Sequence, residues 1–169
     1  RIEATAMLTG IFIDTQRFSM RTGTRTFDAA SYLRSAGADS DEMQQFMKEN
    51  IDSYLQRNHL ISKVEFFHKN MALIVGEEDQ VYDPVTAAQA CDSLLTMSGV
   101  DASFIITKRS DGQIGVSARS TGAVNVQVIM EQMGGGGHLS SGATQVSDKS
   151  VADVKKMLLE TIKNIDDNE

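Results

Sequence analysis

The sequence predicts an α/β fold: a helical first third, then a mixed β-sheet flanked by helices. Three observations carry that expectation. The apolar positions up to about residue 60 recur at helical spacing. From Val64 onward, short β-branched and aromatic runs alternate with segments of helix length. Asp111-Gly112 stands between two such runs, the pattern of a tight hairpin. A hydrophobic share of 41% over 169 residues provides a core, so the composition is that of a folded chain.

Taken in order, residues 3–13 are small and apolar nearly all round, which predicts a helix buried in a core. Asp14-Thr15 end it, and the stretch to Thr24 is polar. A helix over 26–35 follows, with Gly37 as its stop. Asp39 or Ser40 caps a short helix with Met43, Phe46 and Met47 on one face. The next helix starts near Asn50 and uses Ile51, Tyr54 and Leu55. Beyond Leu60 the apolar positions leave that face, which sets a domain boundary near 61 and divides the chain into 1–61 and 62–169.

Strands are expected at 64–67 and 71–75, joined by a turn at 68–70. A helix over 84–97 has Pro84 in its first turn, where a missing N–H costs least, and Gly99 closes it. Strands at 102–108 and 113–119 flank the Asp-Gly turn. A helix over 125–133 leads into Gly134-Gly135-Gly136-Gly137-His138, followed by a short strand at 144–146. The last helix, 150–165, turns Val151, Val154, Met157, Leu158, Ile162 and Ile165 inward, and the tail from 166 is expected to fray.

Composition narrows the function. Sixteen Lys and Arg against 23 Asp and Glu give −7, which argues against a sequence-independent grip on long nucleic acid but leaves room for a small anion. The single cysteine, Cys91, excludes an internal disulfide and fits a reducing compartment. No apolar run is long enough to span a membrane, and no signal-peptide pattern opens the chain. It begins at Arg1-Ile2-Glu3, already in helical rhythm, and so reads as a piece of something longer.

Four consecutive glycines are costly, because each loses more backbone entropy on folding than any other residue. Gly134, Gly135, Gly136 and Gly137 therefore suit close approach to a ligand or positive φ, with successive N–H groups able to cradle an anion and His138 to donate or stack. The plain alternative is a flexible loop. In Gly115-Val116-Ser117-Ala118-Arg119-Ser120, alternation puts Ser117 and Arg119 on one face if Val116 and Ala118 face the core. A hydroxyl beside a guanidinium clamps a phosphate or carboxylate, while the plain alternative is a solvated arginine. Asp14 is a local cap or a hard-metal ligand, and the residues alone favour the cap. His59 and His68 fall in separate elements, Cys91 reads as an inert buried thiol, and the nine methionines read as packing.

These residues have a familiar order. Residues 8–18, Leu-Thr-Gly-Ile-Phe-Ile-Asp-Thr-Gln-Arg-Phe, resemble the last motif of the DHH phosphoesterase domain. The run 116–120, Asn125-Val126, the glycine-histidine run at 134–138 and Ser141-Gly142-Ala143 resemble the DHHA1 domain that follows it. Within that superfamily the chain is similar to GdpP-type cyclic-di-AMP phosphodiesterases. The resemblance implies a helical DHH remnant over 1–61 and a DHHA1 substrate-binding domain over 62–169. It implies two Mn2+ ions in the complete enzyme with Asp14 as a ligand, two-metal hydrolysis of cyclic di-AMP to linear pApA, and a parent anchored in the cell membrane by upstream helices.

Ser117, Arg119, Ser120, Gly134–Gly137 and His138 would then hold phosphate and nucleotide. The chain departs from the family in lacking the Asp-His-His signature and the other upstream ligands. One carboxylate does not hold a dinuclear site, so this piece alone is expected to be inactive. It is expected to be cytoplasmic, without direct membrane contact or long nucleic acid, and to self-associate as a homodimer through apolar surface at 3–13. Two other functions fit the motifs less closely. One is a DHH-family exonuclease for short oligonucleotides. The other is a non-catalytic nucleotide-binding module like the one that ends alanyl-tRNA synthetases.

Overall fold

The computed structural model describes residues 1–68 and 70–166. Lys69 of the expected turn and residues 167–169 of the expected tail lie outside the described residues. The chain divides into two compact units, Arg1–Asn50 and Ile51–Glu169.

In the first unit, α1 (Ile2–Asp14), α2 (Thr24–Ser35) and α3 (Ser40–Phe46) close on Ala4, Leu8, Leu33, Ala38 and Met43. The Asp39 carboxylate caps α3 by accepting from the N–H groups of Asp41 and Glu42 at 2.9 and 3.1 Å. Those bonds, that of Glu42 foremost, hold its carboxyl below the usual range. Gly37, at φ 96°, ends the turn after α2 as expected. The all-round burial expected of α1 is not found. It buries Ala4, Thr5, Leu8 and Thr9, while Ile2, Met7 and Ile13 are each more than 60% exposed. Helices α2 and α3 and Phe18 of the following loop pack on it and leave the face of Ile2, Met7 and Ile13 uncovered. Phe46 is likewise turned out of the α3 face that Met43 buries.

The second unit begins with α4 (Ile51–Ile61), earlier than the boundary expected near 61. The face expected to be buried, Ile51, Tyr54 and Leu55, is exposed. Leu60 is fully buried instead, and with Ile61 and Val64 it packs into Ala72, Ile74, Ala87, Ala90 and Leu94. Tertiary contact with β2 and α5 decides the buried face, because the helix itself is only weakly amphipathic.

The remaining elements are β1 (Glu65–Phe67), β2 (Met71–Val75), α5 (Pro84–Leu94), β3 (Ala102–Lys108), β4 (Ile114–Ser120), α6 (Val126–Gln132), β5 (Gly136–His138), β6 (Ser141–Val146) and α7 (Val151–Asp166). They form a six-stranded mixed sheet in the order β1-β2-β3-β4-β6-β5. Among the described strands β2 and β3 alone pair in parallel, as their crossover through α5 requires. Asp83 accepts from the Thr86 N–H at 2.9 Å and starts α5 with Pro84 inside its first turn. That helix stops at Leu94, short of the expected residue 97.

One face of the sheet packs on α6 and α7 through Leu73, Phe104, Ile106, Val116, Ala118, Ile129, Met130, Val154 and Leu158. The other packs on α4 and α5 through Ala72, Ile74 and Ile105. None of the described helices is long and apolar enough to cross a membrane.

Candidate functional site

β4 alternates as its sequence predicts. Val116 and Ala118 are buried toward α6 and α7, while Gly115, Ser117 and Arg119 are half-buried on the opposite face. Register then decides what shares that second face. Arg119 pairs with Ser141 of β6, and Ser141 pairs with His138 of β5. In the next row Ser117 pairs with Ala143, and Ala143 with Gly136. Directly paired residues project to the same side, so Ser117, Arg119, Gly136, His138, Ser141 and Ala143 lie on one face.

Two strand spacings separate Arg119 from His138, about 10 Å between backbones. α5 contacts β3 and β4 on this face. Gly136, His138, Ser141 and Ala143 beyond it are half-buried to exposed. The result is a shelf floored by glycine, serine and alanine, with Arg119 and His138 at one end. At the other end the stem of Arg109 lies over Gly115, 3.2 Å from where a Cβ would stand. Its Nε donates to Asp111 at 3.3 Å. Sequence reading missed Arg109. Its only local signal is the hairpin that returns it to a glycine.

The arginine on the shelf is not loose. Arg119 Nε donates to Asp92 of α5 at 2.8 Å, and Nη1 donates to the Ala118 carbonyl at 3.0 Å. Beneath it, the buried Cys91 thiol donates to the Ser103 carbonyl at 3.2 Å, and the Ser103 hydroxyl donates back to the Cys91 carbonyl at 2.8 Å. Burial pushes the thiol up to about 12, which fits the expected inert role.

The glycine run is not the flexible loop of the plain alternative, since Gly136–His138 form β5. Gly134, at φ 84°, ends α6, and the N–H of Gly135 donates to the Met130 carbonyl at 2.8 Å. A Cβ on Gly135 would stand 2.2 Å from the Ala143 carbonyl oxygen, and one on Gly137 would stand 2.2 Å from that of Ser141. Close passage against β6 demands those two glycines. The Thr144 hydroxyl donates to the Met133 carbonyl at 3.1 Å and holds the entry to the run. Gly136 alone combines ordinary strand geometry with open space above it.

Ser120 also departs from its expected place. It is fully buried, and its hydroxyl accepts from the N–H groups of Gly122 and Val124 at 2.9 and 3.2 Å. Alternation along β4 turns it to the face opposite Arg119, where it shapes the loop into α6.

Asp14 lies in the first unit, at the last residue of α1. Its carboxylate meets Arg21 Nη2 at 3.3 Å, and the same nitrogen donates to the Asp14 carbonyl at 3.1 Å. Gln16, Arg17 and Phe18 follow in left-handed backbone conformation, a costly turn that no residue type there announces. Among the described residues, no group of three or more His, Cys, Asp and Glu is placed to hold a metal. The residues present therefore do not fit a pair of manganese ions. His59 and His68 lie apart, as expected. His59 Nε2 meets Glu77 at 2.8 Å, and Glu77 also accepts from Lys63 and Tyr82.

The family profile described as the DHHA1 domain matches residues 66–165, more than half of the chain. The chain belongs to the DHHA1 family. Its match spans β1 to α7 with every residue of the shelf. The DHHA1 chain is 56% identical over 162 residues to the cyclic-di-AMP phosphodiesterase PdeA of Listeria monocytogenes, covering 96% of this chain and 25% of that protein. It is 50% identical over 163 residues to the cyclic-di-AMP phosphodiesterase GdpP of Bacillus subtilis, covering 95% and 25%. It thus spans about a quarter of the length of these relatives. Among solved structures, an exopolyphosphatase-related protein from Bacteroides fragilis matches with a TM-score of 0.80 at 20% identity, over 96% of this chain and 51% of that one. At that identity the likeness concerns the fold.

Proposed function

We propose that the Ile51–Glu169 unit is the substrate-holding module of a phosphodiesterase that hydrolyses cyclic di-AMP to linear pApA. The observation that carries this reading is the register row that brings Arg119, Ser141 and His138 onto one open face beside Ser117. A phosphodiester is a compact anion, suited to the free N–H groups of a guanidinium and to hydroxyl and imidazole donors. A floor without large side chains leaves room for a base or ribose to lie flat against the sheet. Identity of 50–56% to proteins named cyclic-di-AMP phosphodiesterases supports the choice of ligand over longer strands. The charge of −7 supports it too.

In this reading Asp14 is one ligand of a manganese pair in the complete protein, and its partners lie beyond this chain. When bound, such a pair would supply Lewis-acid chemistry that activates water and offsets charge on the phosphate. No hydrolytic step is assigned to the residues here. They bind, orient and present the nucleotide. The module works in the cytoplasm, the parent is held at the membrane by helices outside this chain, and self-association through apolar surface completes the proposal.

Calorimetry on the 169-residue chain with cyclic di-AMP, pApA and a longer oligoadenylate tests it. Both dinucleotides are expected to bind more tightly per molecule than the oligomer. Arg119→Ala and His138→Ala are each expected to weaken them by about tenfold, the loss typical of a charge-assisted or well-placed hydrogen bond. Unchanged affinity in both variants contradicts the reading. Manganese-dependent hydrolysis by this chain alone overturns the assignment of the chemistry to residues outside it.

A further inference from the structure

We infer that Asp92 is a positioning residue for the ligand site, acting through Arg119 rather than on the ligand; the inference rests on the anion-binding role of Arg119 proposed above. Asp92 accepts from Nε at 2.8 Å, and the Ala118 carbonyl accepts from Nη1 at 3.0 Å. Two bonds at different corners fix the plane of a guanidinium that otherwise turns about four side-chain torsions. An arginine carries five N–H donors, so three remain, on Nη1 and Nη2. The carboxylate takes Nε and leaves Nη2 for an incoming anion. Both side chains are only partly exposed, 22% for Arg119 and 34% for Asp92, so water competes less for the bond than at an open surface.

Asp92 is itself held in place. Its neighbour Cys91 is fully buried and exchanges hydrogen bonds with Ser103. Ser103 is the residue of β3 that pairs with Arg119. Helix α5 is thus pinned to the same row of the sheet that carries the arginine, and the next residue along presents its carboxylate to it. A strap that only joined helix to sheet would need no such alignment with Arg119. A carboxylate that met the ligand directly would repel it. Holding the inner edge of the guanidinium avoids that repulsion and sets its outer edge over the shelf.

A double-mutant cycle on the full 169-residue chain separates these possibilities. Affinity for pApA and cyclic di-AMP is measured by calorimetry in Asp92→Ala, Asp92→Asn, Arg119→Ala and the Asp92→Ala/Arg119→Ala pair. The side-chain Nε–H resonance of Arg119 is followed by NMR in the wild-type chain and in the two single Asp92 variants. Asp92→Ala is expected to weaken binding by about tenfold and to broaden or lose that resonance. Asp92→Asn, whose amide oxygen still accepts the Nε–H, is expected to recover part of both and guards against a folding defect in the alanine variant. In the Arg119→Ala background, Asp92→Ala is expected to change affinity by less than about twofold. An equal loss in that background overturns the inference, and so does wild-type affinity in Asp92→Ala. If Arg119→Ala itself binds as wild type, or the wild-type chain binds neither nucleotide, the functional reading falls and this inference falls with it. Loss in Arg119→Ala alone sinks only the role of Asp92.

Discussion

Gly134, Gly135, Gly136 and Gly137 look alike in the sequence and have three different environments. Gly134 supplies positive φ at a helix end, Gly135 and Gly137 let the chain pass against β6, and Gly136 sits under open space. An added methyl therefore has different consequences at each. Gly135→Ala and Gly137→Ala are expected to destabilise the chain by more than about 2 kcal/mol, because a Cβ 2.2 Å from a backbone carbonyl forces the strands apart. Gly136→Ala is expected to change stability by less than about 1 kcal/mol. Denaturant midpoints of the three variants check this, and equal losses would contradict the assignment. That glycine was required here was legible in the sequence. Which glycine served a turn, a close approach or a bare floor was not, since the close contacts are with Ser141 and Ala143 of another strand. Ser117 and Ser120 teach the same lesson. Alternation along β4 predicts their opposite faces, but only the loop that folds back onto Ser120 shows what its hydroxyl does.

Among the elements, α4 and α1 most clearly had their faces set by neighbours. Both carry apolar residues around much of the cylinder, so spacing names candidates without choosing among them. Packing on α5 and β2 selects Leu60 in α4 and leaves Leu55 57% exposed. Leu60→Ala is accordingly expected to cost about 2–5 kcal/mol, as burial without a route to collapse implies. Leu55→Ala is expected to stay within about 0.5 kcal/mol. Thermal or denaturant unfolding distinguishes the two, and a larger loss at Leu55 would restore the face read from the sequence. Helix α7 was legible in full. Val151, Val154, Leu158 and Ile162 are buried as expected, because its polar and apolar faces are cleanly separated.

At the scale of the molecule, the two units differ in what holds them. The second has a core on each face of its sheet, around Phe104 and Leu158 on one side and Ile74 and Cys91 on the other. The first closes on five buried apolar residues, four from three helices and Ala38 from the loop between α2 and α3. Small cores bury a smaller share of the chain's surface and open more readily. Amide hydrogen exchange is therefore expected to be fastest in residues 1–50 and slowest in β3 and β4. Equal protection in both units would show that they open together.

By itself the sequence determined the α/β class, most strand and helix positions, the two-faced pattern of β4 and a need for glycine somewhere in the run 134–137. Each is a local property: a period, a cap or a backbone freedom that a short window of residues carries. Tertiary structure alone decided the place where the units divide, the buried face of α4, the row that joins Arg119 to His138, and the carboxylate that holds Arg119. Those depend on strand register and helix docking. Asp92 lies 27 residues before Arg119 in the chain, and no local pattern links them. Packing of α5 across the sheet brings the pair together.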